Sequence, residues 1–288
     1  GQCAFDIGLV DRLVPDAELR TEALSWAAEI AAAAPLAVQS IRETLRAPLA
    51  NRVRAALERE PVALFVQPRA QNPTGTNMSV ARAAELARVL EATQVWVIED
   101  DHSGDIATGE DVSIGFHLPE RTVHIRSYSK SHGPDLRIAA IGGSADVIDP
   151  LISRRMLGPG WTSRLLQAVL VELLTDPAAI AAVARARSTY AMRSLALRAG
   201  LAGQGITSTT GDGINAWVEV ADERAALIAL AAMGVRVAPG TPFMVGAGGT
   251  PHIRVTTGQL HEDDVEQLQV VILALAAAAG AGPTLRGV

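Results

Sequence analysis

Thr122-Val123-His124-Ile125, followed after Arg126 by Ser127-Tyr128-Ser129-Lys130, reads as a short strand that ends in hydroxyls and an amine. The amine is the informative part. Among 25 Lys and Arg residues, Lys130 is the only lysine. A compositional bias toward arginine accounts for the other cations, but not for the place of the one lysine left. A guanidinium holds its proton at any accessible pH, whereas an amine can lose it and attack a carbonyl. The position of Lys130 therefore predicts a chemical role.

The same pattern recurs upstream. Val62-Ala63-Leu64-Phe65-Val66 and Gln94-Val95-Trp96-Val97-Ile98 are continuous apolar runs, as expected for strands buried on both faces. A helix is predicted between them over 79–92 and a fourth strand over 138–143. Strands alternating with helices imply a mainly parallel sheet with right-handed crossovers. Ligands of such sheets bind beyond the carboxyl ends of the strands. Asn72, Asp100 and Lys130 each follow one of these runs. Residues 146–198 read as helical, with a break near Gly158-Pro159-Gly160. A smaller α/β unit follows, with strands over 214–220, 235–238 and 252–256 and helices over 222–233 and 261–278. The leading segment, 1–60, reads as helices with breaks at Pro35 and Pro48, and the tail 280–288 reads as frayed. The expected fold is α/β with three parts: 1–60, 61–199 and 200–288.

Composition bounds the rest. A chain of 288 residues with 49% hydrophobic and 19% charged residues can build a sizeable core. Its net charge of −6, with no basic run, argues against a nucleic-acid surface within it. A single cysteine, Cys3, excludes a disulfide framework and a cysteine-rich metal site. The longest apolar tract, Val270 to Ala279, is too short to span a bilayer, and no signal peptide opens the chain. The expectation is a cytoplasmic protein without membrane contact. The first residue is Gly1, as in a piece of a longer reading frame.

If Lys130 forms a Schiff base with an aldehyde cofactor, pyridoxal 5'-phosphate makes three further demands. Its ring nitrogen needs a buried carboxylate, its phosphate needs a guanidinium and hydroxyls, and its ring oxygen needs a hydrogen-bond donor. Asp100 can supply the first. Arg137, seven residues after Lys130, can hold the phosphate together with Ser127 and Ser129, and the Asn72 amide can supply the third. Other readings stay open at this point. Glu99, Asp100, Asp101, His102 and Asp105 could group around a metal. Arg137 could be a surface ion pair and Arg254 a structural cation. Trp26, Trp96, Trp161 and Trp217 read as core residues.

Four stretches in order carry a resemblance: Pro68-Arg69-Ala70-Gln71-Asn72-Pro73-Thr74-Gly75, Ile98-Glu99-Asp100-Asp101-His102, Ser127 to Arg137, and His252-Ile253-Arg254-Val255. From about Pro61 to Ala278 the chain resembles the catalytic part of a fold-type I pyridoxal-phosphate aminotransferase. The likeness is greatest to the aminotransferase-like domain of MocR-type regulators in the GntR group. The resemblance implies Lys130 as the cofactor-linked lysine and proton shuttle, Asp100 at the pyridine nitrogen, and Asn72 at the ring oxygen. It places Arg137, Ser129 and Ser127 at the phosphate and Arg254 at the substrate α-carboxylate. Many relatives carry tyrosine where this chain has His102, which can also donate to the ring oxygen. A homodimer and a small amino or keto acid, as substrate or as effector, are implied too. The leading segment differs. Gly8-Leu9-Val10-Asp11-Arg12-Leu13-Val14-Pro15, with Ala34-Pro35-Leu36-Ala37-Val38, resembles the C-terminal end of a crotonase, without that family's catalytic region. The earlier aminotransferase segment and the winged-helix domain of MocR regulators are not found ahead of Pro61. The expectations are thus an aminotransferase, an effector-sensing domain, or an inactive fusion.

Overall fold

β1 (Ala63–Val66) alternates half-buried and buried residues, and its buried pair, Leu64 and Val66, lies under helix α1 (Val80–Leu90). The computed structural model describes residues 14–15, 18, 20–25, 56–158, 160–209, 211–244, 249–260 and 265–279. Ser79 starts α1 by accepting the Arg82 amide at 3.2 Å, the usual way to satisfy an orphan donor at a helix start. Ala83, Leu86, Ala87 and Leu90 recur at intervals of three and four, so they share one face, and all are buried. Full burial of Leu86 and Leu90 contributes about 1.5–3 kcal/mol each.

The chain returns as β2 (Trp96–Asp101), parallel to β1 with Ala63 opposite Trp96, and again as β3 (Thr122–Ser127), parallel to β2 with Val97 opposite Thr122. β4 (Ala139–Gly142) then pairs antiparallel to β3, giving the order β1-β2-β3-β4. Three parallel strands and a reversed edge strand make the mixed α/β sheet. Two expectations are corrected. The acids after Ile98 do not follow the strand but extend it, because Glu99, Asp100 and Asp101 keep pairing with His124, Ile125 and Arg126. The apolar runs are not buried on both faces by the described residues, since in β1 and β2 alike buried residues alternate with half-buried ones.

Helices α2 (Ala145–Met156), α3 (Arg164–Thr175) and α4 (Pro177–Gly203) follow, with the predicted break near 158–160. Asp176 caps α4 by accepting the Ala179 amide at 2.8 Å, and Pro177 occupies the first turn, where its missing N–H costs nothing. Trp161 is 81% exposed, contrary to its reading as a core residue, while Trp217 is buried.

A second sheet runs β5-β7-β6, all antiparallel: β5 (Asn215–Glu219), β6 (Ala238–Pro239) and β7 (His252–Thr256). Helices α5 (Glu223–Ala232) and α6 (Val265–Ala278) and the C-terminal half of α4 cover it around Leu197, Leu201, Leu230, Ile253 and Leu275. The strand expected over 235–238 is shorter and later. Gly234, at φ +78°, ends α5, and the Val235 amide turns back to the Leu230 carbonyl at 2.9 Å. Val235 thus belongs to the helix cap rather than to the sheet. Of the leading segment, only 14–15, 18, 20–25 and 56–60 are described, and 20–25 and 56–57 are helical. The rest of its expected helices, and the frayed tail 280–288, lie outside the described residues. No single described helix is long and apolar enough to cross a membrane.

Candidate active site

Alternation along β2 separates its three acids. Glu99 and Asp101 share the buried face with Val97, and Asp100 points to the other side. On that side Gln67, the first residue after β1, donates from Nε2 to Asp100 Oδ2 at 2.8 Å. Its Oε1 accepts the Asn72 amide at 2.9 Å. One glutamine thus joins two of the predicted site residues. The Gln71–Thr76 turn that carries Asn72 closes through Gly75 N to Gln71 O at 2.6 Å and Gln71 N to Thr76 O at 3.0 Å. Gly75 sits at φ +71°, and a Cβ there would lie 2.8 Å from the Asp212 carbonyl oxygen, so a side chain is barred twice over.

The second sheet closes on this turn. Arg254 Nη1 donates to Asn72 Oδ1 at 3.1 Å across 182 residues of sequence, and Asn215 Nδ2 reaches the same oxygen at 3.5 Å. The Arg254 guanidinium lies 5.1 Å from the centre of the Phe243 ring. Its Nε is buried without a partner, and among the described residues no carboxylate pairs with it. Burial alone holds its pKa below the ordinary arginine value. A half-buried cation with free donors is a seat for an anion.

His102 follows β2 directly. Burial pushes its imidazole below the usual histidine value, the charge of Asp100 opposes that, and the charge of Lys130 adds to it. The ring is therefore neutral at pH 7. Its Nε2 lies 3.1 Å from Ser103 Oγ, and its Nδ1 is buried with no partner. Ser127 ends β3, and its hydroxyl accepts the Ser129 amide at 3.4 Å. Lys130 lies exposed on the loop to β4 and makes no side-chain hydrogen bond or ion pair with other described residues. Arg137, on the same loop, is exposed and left-handed at φ 50° and ψ 40°. A non-glycine residue held there costs on the order of 1–3 kcal/mol, a strain that clusters at functional sites.

The structure therefore brings Asn72 and Arg254 into contact and joins Asp100 to Asn72 through Gln67. It sets His102 within the fields of Asp100 and Lys130. Ser127, Ser129, Lys130 and Arg137 share the β3–β4 loop. Sequence reasoning passed over Gln67, Asn215 and Phe243. The rule that singled out Asp100, a polar residue closing an apolar run, also covers Gln67. Nothing local marks Phe243.

The other face of β2 is an ionic core. Buried Glu99 accepts from Ser113 Oγ at 2.6 Å, the Ile114 amide at 2.6 Å and His124 Nδ1 at 3.1 Å. Asp101 accepts from Arg69 Nη2 at 2.6 Å, the Gly104 amide at 3.2 Å and Arg126 Nη1. Arg126 Nη2 also reaches Asp105 at 2.6 Å. Burial would raise the Asp101 carboxyl, but the hydrogen bond from Arg69 and the charge of Arg126 outweigh it and hold it below the ordinary value. The acids weighed as a metal group are thus divided between two faces, and on the buried face Asp101 is matched to two arginines and Glu99 to three hydrogen-bond donors.

His124 yields a pH test. Its hydrogen bond to Glu99 raises its pKa against the opposing effect of burial. A raised folded value means that its stabilisation is complete below the unfolded value of 6.5 and fades as pH rises through the folded one. Urea midpoints of the wild-type chain and His124→Gln should differ most at about pH 6 and converge by about pH 9. A gap that stays flat across that range would remove the Glu99–His124 pair from the account.

The family described as aminotransferase class I and II matches residues 27–272. The match begins inside the segment likened above to a crotonase tail. The vitamin B6 salvage pathway transcriptional repressor PtsJ of Salmonella typhimurium is 33% identical over 220 residues, covering 76% of this chain and 51% of the repressor. The aspartate aminotransferase of Thermus thermophilus with maleate superposes at a TM-score of 0.72, with 26% identity over 79% of this chain and 60% of that enzyme. LysN, an α-aminoadipate aminotransferase also of Thermus thermophilus, solved with N-(5'-phosphopyridoxyl)-L-leucine, shares the fold at a TM-score of 0.73 with 21% identity, over 83% of this chain and 65% of that one. The chain thus spans about half the length of the curated repressor and under two thirds of these two enzymes. Fold and sequence point the same way: this chain belongs to the aminotransferase class I and II family.

Proposed function

We propose that this chain binds pyridoxal 5'-phosphate through Lys130 and acts as an aminotransferase on a small amino or keto acid bearing a carboxylate. The Asn72–Arg254 contact carries the reading. It sets an amide donor and an unpaired guanidinium side by side, next to the strand end that holds Asp100. The residues suit the cofactor. When bound, it supplies an electron sink for the carbon that carries the amino group. Gln67 occupies Asp100 Oδ2 and leaves Oδ1 to accept a ring N–H. Arg254 occupies Asn72 Oδ1, which turns the Asn72 Nδ2 donor toward a ring oxygen. Neutral His102, next after β2 and within the field of Asp100, is a second donor for the ring oxygen. Arg137, Ser127 and Ser129 hold the phosphate from the β3–β4 loop. Lys130 moves the proton, and the remaining Arg254 donors take the substrate carboxylate in a two-pronged bond.

In this reading residues 61–199 and 200–288 are the two working units, paired in a homodimer. The crotonase likeness of 1–60 gains nothing from the relatives, since the family match already begins at residue 27.

A second reading has its own support. A repressor named for vitamin B6 salvage is 33% identical over 220 residues. The chain would then be the effector-sensing part of a MocR-type regulator, binding the cofactor and an amino compound without turnover. One assay separates the two readings. The chain is loaded with pyridoxal 5'-phosphate, freed of excess and given a panel of amino acids, and the released cofactor is identified by chromatography. Conversion to pyridoxamine 5'-phosphate is the outcome expected of an aminotransferase. A spectral response without that product assigns the sensor, and failure to retain the cofactor sinks both. Arg254→Gln should raise the amino-acid concentration needed by roughly 10- to 100-fold.

A further inference from the structure

The side chain of Asp212, three places before β5 begins at Asn215, stands outside the site described so far. Its carboxylate gathers donors from three separate segments. Oδ2 accepts the Thr108 amide at 2.7 Å, the Gly109 amide at 2.8 Å and Asn77 Nδ2 at 3.2 Å, and Oδ1 accepts the Gly213 amide at 2.7 Å. Its own amide donates to the Gly75 carbonyl at 2.7 Å. Asn77 is itself anchored in the Asn72 loop, because its Oδ1 accepts the Ala70 amide at 2.7 Å. Thr209 Oγ1 adds a bond to the Thr74 carbonyl at 2.8 Å. The backbones meet so closely that a Cβ on Gly211 would lie 2.6 Å from the Thr74 oxygen.

We infer that Asp212 is a positioning residue that latches the Asn72 turn to the Arg254-bearing sheet. Without it, the turn and the second sheet are joined here by the backbone bond at Gly75, the Thr209 bond and the Asn72 contacts themselves. A carboxylate suits the place, since four donors converge on two oxygens and neither oxygen is asked to donate. The latch sets the separation of Asn72 and Arg254, and through it the order of the donor pair. Burial would raise the Asp212 carboxyl, but donors from Gly109, Gly213, Asn77 and Thr108 outweigh this and keep it ionised.

The consequence for ligand binding rests on the proposed cofactor reading, and the test separates the two. Asp212→Asn keeps the shape but presents an NH2 group to backbone donors. In the full chain, hydrogen exchange at the Asn72 and Gly75 amides should quicken about tenfold or more, a charge-assisted bond being lost. Exchange at Leu86 to Leu90 and at Leu197 to Leu201 should stay as in wild type. Affinity for pyridoxal 5'-phosphate should fall about tenfold in Asp212→Asn, but by less than about twofold when Asn72→Ala is already present. Equal losses in both backgrounds, or unchanged exchange at Asn72, would overturn the latch. A wild-type chain that does not bind the cofactor defeats the proposed function, and exchange alone then judges Asp212. Should Asp212→Asn not fold, Asn77→Asp decides. It keeps an acceptor for the Ala70 amide but sets a second carboxylate against Asp212 in place of a donor, so the same two amides should quicken, and exchange unchanged from wild type would overturn the latch.

Discussion

Lys130→Ala protein, saturated with pyridoxal 5'-phosphate and reduced with borohydride, will carry no pyridoxyl group on any side chain, whereas the wild-type chain will carry one. The contrast is sharp because every other Lys or Arg position is arginine. A guanidinium stays protonated and offers no nucleophilic nitrogen under these conditions. No neighbouring ε-amine can take over by proximity, as can happen in lysine-rich chains. Peptide mapping by mass spectrometry reads the result. Any conversion of amino acids by the wild-type chain should fall by about 10³-fold or more, since the group that moves the proton is gone. Equal side-chain labelling of both proteins would withdraw Lys130 from the site, and the proposed chemistry with it.

The second large effect concerns stability and does not depend on any ligand. Asp101→Ala strips Arg69 and Arg126 of their shared carboxylate and the Gly104 amide of its acceptor. The Asp101 and Arg69 side chains are only 1% and 10% exposed, so water cannot take over. Breaking such a buried pair costs about 3–5 kcal/mol. A urea titration followed by circular dichroism should show a lowered midpoint of that order. Asp100→Ala, one residue away, gives up only the Gln67 bond and should cost about 1 kcal/mol while abolishing cofactor retention. Similar losses for both variants would mean that the faces of β2 have been assigned the wrong way round. The pH dependence has a definite sign. Because the Asp101 pKa is depressed, its stabilisation is present above the unfolded value of 3.8 and disappears as pH falls through the folded value. In wild type minus Asp101→Ala, the gap should therefore close on the acid side alone.

Much of this architecture is written in short-range pattern. The spacing of Ala83, Leu86, Ala87 and Leu90 locates α1 within the helix read over 79–92, because a face needs only neighbours within a turn or two, whereas the start of α4 at Asp176 falls inside a run read as helical. A solitary lysine after an apolar run and an acid closing another are equally local. They were enough to point at Asn72, Asp100 and Lys130 and at the carboxyl ends of a sheet.

What local pattern left open depends on which side of the sheet is covered. Glu99, Asp100 and Asp101 are three acids in a row, and only the packing of α1 over Val97 turns the first and third inward and the second outward. Once that face is chosen, Arg69, His124 and Arg126 must gather on it, since a buried carboxylate without a partner is too costly. The antiparallel direction of β4 and the capture of Val235 by the end of α5 were likewise settled by pairing and not by propensity. Sequence alone determined the elements and the reactive residue types. Folding alone brought Arg254 to Asn72 across 182 positions and tied both segments through Asp212. Hydrogen bonds act over about 3 Å in space, whatever the distance along the chain, and no linear pattern records which distant segments will meet.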